Sequence, residues 1–205
     1  MSGLAQQREL TRTTPEETRA RIFAAAREVY SLKGPQSTTT REIAERAGVN
    51  EATLFRHFGN KTALLDAMKE HYCTLKVAAM QAVRERLSGR LEDDLRAIAR
   101  VAIESLLESR DLIRVSLLED ASDPTAASPP WRMPIAARGM LQDFMAERVA
   151  RGELQGDPGV LARFFMGMFF AYVIGQRVWT NPTALEIEKA PDVFVDMFLN
   201  GVRKK

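Results

Sequence analysis

Apolar residues recur along this chain at three- and four-residue intervals and nowhere alternate, so the pattern predicts helices and no strands. Thr14, Pro15 and Glu17 form a capping box with proline in the first turn, opening a helix whose stripe is Ile22, Ala26, Val29 and Tyr30. Gly34-Pro35 ends it. A second box, Thr39 with Glu42, opens a short helix carrying Ile43, Ala44 and Ala47, and Gly48 can take the left-handed conformation that stops it. Val49 is a plug between helices, and Asn50 caps a third helix whose inward residues are Leu54 and Phe58. Gly59-Asn60 breaks the chain again, and Lys61 opens a long helix to about Leu87 with Leu64, Leu65, Met68, Tyr72, Leu75 and Ala79 on one face.

Ser88-Gly89 precedes a helix over 91–110, followed by a shorter one over 111–121. Residues 123–134 carry four prolines and read as a loop. Further helices are predicted over 135–151, 159–179 and 192–202, with a loop between the last two. No internal repeat is present, and the fold class is all-α.

The stretch 39–61 has a particular shape. Its third helix is small near the N-terminus, polar outward, and pinned by a glycine turn to the helix before it. Glu51, Ala52, Thr53, Arg56 and His57 remain on or near its exposed side, a geometry that suits a DNA major groove. A lysine in the first turn of the following helix, beside free backbone N–H groups, is a ready phosphate site.

Charge sharpens this only slightly. The chain has 205 residues and a net charge of +2, and residues 1–61 hold the basic bias. Cys73 is the single cysteine, which excludes an intrachain disulfide framework and favours a reducing compartment. Residues 1–13 are polar, unlike a signal peptide, and read either as a solvated tail or as an arm along a DNA backbone. The most apolar stretch, 164–175, is shorter than the roughly 20 residues a bilayer needs. A soluble, cytoplasmic protein with no membrane partner is expected.

The ordered series Thr39, Thr40, Ile43, Ala44, Ala47, Gly48, Val49, Thr53, Leu54, His57, Phe58 and Lys61 resembles the N-terminal domain of TetR-family (TetR/AcrR-type) transcriptional repressors, over about residues 15–65. Beyond that, the chain resembles the family in architecture only. The pattern departs at Phe55, where the family usually has tyrosine, and at Glu51, where a neutral or basic residue is common. The resemblance implies a three-helix helix-turn-helix domain over 1–60 and a helical ligand-binding and dimerisation domain over 61–205. It implies phosphate contacts from Thr40, Arg41, His57 and Lys61, with Ala52 on the same DNA-facing side; Phe55, lacking the family's phenol, offers only apolar contact. Thr53, Arg56 and Glu51 are the candidates for reading bases, Arg56 at a guanine edge and Glu51 at cytosine N4.

The second half is rich in methionine and aromatic residues. Met68, Tyr72, Trp131, Met140, Phe144, Phe165, Phe169 and Tyr172 are candidates either for ordinary core or for the lining of an effector pocket, which the resemblance implies. Between Phe164 and Gly175 the helix is apolar on all sides and must be covered all round, by the chain itself or by a partner subunit. Gly167, Ala171 and Gly175, with Phe194, Met197 and Phe198 from the last helix, suit a four-helix dimer interface.

No catalytic or metal-ligating constellation is visible, so neither an enzyme nor a cofactor is expected. The reading is a ligand-responsive, sequence-specific DNA-binding regulator: a homodimer on a palindromic double-stranded operator, released by a hydrophobic small molecule. The rival is a small-molecule binding or sequestering protein with a vestigial DNA-binding domain.

Overall fold

A computed structural model describes residues 14–120, 135–175 and 185–202, without the side chains of 116–120 and 135–136. Among them every regular element is helical: α1 (Pro15–Ser37), α2 (Thr40–Ala47), α3 (Glu51–Phe58), α4 (Lys61–Arg84), α5 (Leu91–Asp120), α6 (Ile135–Ala150), α7 (Pro158–Gly175) and α8 (Ala190–Val202). Packing divides the chain into two compact units that meet between Glu70 and His71, inside α4.

In the first unit the predicted caps form with one exception. Thr14 Oγ1 accepts from the Glu17 amide at 3.1 Å, and the Glu17 carboxylate accepts from the Thr14 amide at 2.8 Å, completing the box. At α2 only half of it exists. Thr39 Oγ1 accepts from the Glu42 amide at 3.2 Å. The Glu42 carboxylate is instead taken by Lys33 at 2.7 Å and lies 3.9 Å from Arg46, because two cations outweigh one backbone N–H.

Gly34 leaves helical conformation (φ 74°), breaking α1 where predicted, and the Thr38 hydroxyl donates to its carbonyl at 2.6 Å. Gly48 adopts φ 63°, a left-handed conformation that a β-carbon disfavours, and the Val49 amide closes onto the Ala44 carbonyl at 3.0 Å. Arg21 then donates to the Ala47 and Gly48 carbonyls at 3.1 and 3.0 Å, placing a cation at the negative end of α2. Ile22, Val29, Tyr30, Ile43, Leu54, Leu64 and Met68 have no exposed surface and hold α1, α2, α3 and the start of α4 together. Phe58 is only half-buried. Its ring lies 5.4 Å from Phe23, with the Arg19 guanidinium over both.

The second unit packs α5 against α7 and α8, and α6 against α7. Its core includes Leu95, Ile98, Leu141, Phe144, Met145, Phe165, Phe169, Val195 and Phe198. The two helices expected over 91–121 are one, α5. Asp111 interrupts nothing: buried Leu112 and Ile113 continue the apolar stripe, and Asp111 lies 3.6 Å from Arg114 one turn on. α4 ends at Arg84, short of Leu87, and α8 begins at Ala190 rather than Asp192. Asp157 caps α7 through the Val160 amide at 2.8 Å. α7 is long and apolar enough to cross a membrane by composition alone, yet six of its residues, Phe165 and Phe169 among them, are buried in this unit.

A buried cluster joins the turn after α4 to α5 and α6. Asp94 accepts from the Ser88 amide (2.6 Å) and hydroxyl (2.9 Å), the Gly89 amide (3.1 Å) and Arg148 (2.6 Å). Arg148 also donates to the Gly89 carbonyl and to Glu153, and lies 4.9 Å from the Phe144 ring centroid.

Candidate nucleic-acid interface

α2 and α3 are held at the Gly48–Asn50 turn, with Asn50 Oδ1 accepting from the Ala52 amide at 2.9 Å to start α3. Leu54 anchors α3 inward, which leaves Ala52, Phe55 and Arg56 exposed and Thr53 and His57 half-exposed. Phe55, 43% exposed, is a large apolar residue without cover, as a groove-facing contact would be. Arg56 makes no ion pair or hydrogen bond among the described residues, so its guanidinium is available. These five form one continuous exposed surface on α3.

The flanking residues are less free than sequence reasoning supposed. Arg41, also exposed, sits 3.3 Å from Glu45, an exposed pair that costs little to part. Thr40 donates its hydroxyl to Glu51 Oε1 at 2.5 Å. Lys61 donates to the carbonyls of Pro35 and Thr38, each at 3.1 Å, so two of its three protons tie the start of α4 to the end of α1. No periodicity or spacing in the sequence announces these last two contacts. Asn60 Oδ1 accepts from the Ala63 amide at 2.9 Å and caps α4.

In the second unit, Met140 and Phe144 line a narrow cleft with Met80, Arg84, Leu87, Ile98 and Leu141. Arg84 lies at ion-pair distance from Asp143, 4.0 Å. One turn before Met80, burial lowers the pKa of Lys76, with Cys73 and Glu108 pulling it back up. The other pocket candidates are placed elsewhere. Met68 is core of the first unit, Tyr72 is half-buried beside His71, and Phe165 and Phe169 pack edge-to-face in the core. Tyr172 is buried and donates to the Leu185 carbonyl at 2.7 Å; burial and then Glu188 raise its pKa. Trp131 lies outside the described residues.

Among the dimer candidates, Gly167, Ala171 and Met197 are exposed, and Gly175 and Phe194 half-buried. Phe198 is corrected: it is 1% exposed, packed on Phe165 within its own chain. Sequence reasoning named Met197 but missed Val160 and Phe164. Val160 (64% exposed), Phe164 (59%) and Met197 (61%) leave an apolar face on α7 and α8 uncovered.

Two short helices locked by a left-handed glycine, the second presenting a polar and basic face, define a helix-turn-helix DNA-binding regulator. The family model "Bacterial regulatory proteins, tetR family" matches residues 22–68. The chain is 32% identical over 184 residues to the "Uncharacterized HTH-type transcriptional regulator YvkB" of Bacillus subtilis, covering 87% of this chain and 95% of that one. It is 37% identical over 99 residues to the class A tetracycline repressor from transposon 1721 of Escherichia coli, 46% of this chain and 42% of that one. A Rhodococcus RHA1 regulatory protein in the tetR family shares the fold (TM-score 0.71, 22% identity, 94% of this chain and 100% of that one). The chain belongs to the tetR family of bacterial transcriptional regulators, which are not enzymes.

Proposed function

We propose that this regulator is a homodimeric repressor of a palindromic operator, released when a hydrophobic small molecule occupies its second unit. The observation that carries the DNA reading is the exposed surface of α3, where Arg56 has no ion pair among the described residues and Ala52 and Phe55 are exposed beside it. Ala52, Thr53, Phe55 and Arg56 face the groove, Arg56 bidentate to guanine, while Arg41 and His57 hold phosphates. The apolar face of Val160, Phe164, Gly167, Ala171 and Met197 supports dimerisation, because a second copy would bury it against itself. Two reading helices then enter successive major grooves about 34–36 Å apart. The apolar lining formed by Met80, Met140, Leu141 and Phe144 supports an apolar effector that opens the narrow cleft between them and acts by preferring the state that does not bind DNA.

Retention on random-sequence duplex DNA tests the reading. Binding that weakens steeply with salt is expected, since neutralised phosphates release counterions. A folded protein that no duplex retains at any salt concentration would leave a small-molecule sequestering protein instead.

A further inference from the structure

Glu51 opens the reading helix, yet its carboxylate is held by α2. The contact is a short, charge-assisted hydrogen bond of 2.5 Å from Thr40, the first residue of α2. No cation pairs with Glu51 among the described residues, so Thr40 is its recorded partner. The carboxylate therefore lies where the N-termini of α2 and α3 converge, each carrying backbone N–H groups without intrahelical acceptors. Those features also suit a phosphate. Thr40 has one hydroxyl proton and cannot give it to Glu51 and to a phosphate at once.

We propose, on the reading that α3 enters DNA, that Glu51 stands in for a DNA phosphate and gates the backbone contact at Thr40. In the free protein its carboxylate accepts the hydrogen bond from the Thr40 hydroxyl and repels the phosphate that would displace it. Backbone binding at this point then proceeds only when base contacts along α3 offset the release of Thr40. Glu51 thus lowers affinity for every sequence, and a site well matched to Arg56 and Thr53 overcomes it most easily. Its role is to set a threshold, so that random sequence is left weakly bound while a well-matched site still binds tightly enough to be occupied.

Fluorescence anisotropy on a random-sequence duplex tests this with four proteins: wild type, Glu51→Gln, Thr40→Val and the double variant, each checked for folding by thermal melting. One like charge removed beside a phosphate at near-aqueous dielectric should tighten random-DNA binding by roughly three- to tenfold in Glu51→Gln. The gain should be smaller in the Thr40→Val background, because charge repulsion alone remains once no hydroxyl is left to be released. Equal affinities of wild type and Glu51→Gln would overturn the gate while leaving the DNA reading intact. Weaker binding by Glu51→Gln would overturn it in favour of a carboxylate that accepts from a base. A gain undiminished by Thr40→Val would reduce Glu51 to a distant charge and also refute the gate. If neither wild type nor Glu51→Gln binds any duplex, the DNA reading fails and the gate with it.

Discussion

Replacing Asp94 by alanine should strongly destabilise the second unit. Asp94 is 1% exposed, so its carboxylate exchanges no contacts with bulk water. It accepts from Ser88 twice, from Gly89 and from Arg148, and the substitution removes all four bonds together. Arg148, 3% exposed, then keeps Glu153 and the Gly89 carbonyl but loses its closest carboxylate. Breaking a buried pair from one side costs about 3–5 kcal/mol, and Arg148's remaining partners favour the lower end, about 3. At about 2–4 °C per kcal/mol for a chain of this size, the melting temperature should fall by roughly 6–12 °C in calorimetry. The double variant Asp94→Ala/Arg148→Met should recover part of that loss, since it leaves no uncompensated cation in the interior. A fall of less than about 2 °C in the single variant would mean that Asp94 is not the buried acceptor described here.

Three further outcomes are expected. Met197→Asp places a charge on the apolar face of α7 and α8 and should convert the dimer to monomer in sedimentation velocity; an unchanged dimer would place the interface elsewhere. Lys61→Met loses two charge-assisted hydrogen bonds to the end of α1 and should cost the first unit about 1.5–3 kcal/mol, read by denaturant melting of the helix-turn-helix. Unaltered stability with weakened DNA binding would return Lys61 to a purely phosphate-binding role. Arg56→Ala should lose about 1–3 kcal/mol of discrimination for a guanine in the preferred site while random-DNA affinity changes much less; equal loss on both would make Arg56 a backbone contact.

The parts legible in the sequence are those set by neighbouring residues. Thr14, Asn50 and Asn60 cap helices because their oxygens reach amides two or three residues away, and Gly48 turns the chain through its own φ. The glycine-pinned α2–α3 pair followed from those signals. What stayed hidden depends on residues that only the fold brings together. Glu51 reaches back 11 positions to Thr40, Lys61 reaches 26 to Pro35, and Arg148 reaches 54 to Asp94. The Lys33–Glu42 pair likewise displaced half of a predicted capping box. On α7 the helix is apolar on nearly every side, so hydropathy alone could not separate buried Phe165 from exposed Phe164. Packing against α5 and α6 decides that.

Selection of bound sequences from a random DNA pool, with purified protein and no added ligand, tests the function most directly. A paired reading helix should enrich a two-fold symmetric motif whose half-sites lie about one helical turn, 34–36 Å, apart. Failure to enrich any motif, with a folded dimer in hand, would contradict a regulator that reads its operator in the ligand-free state.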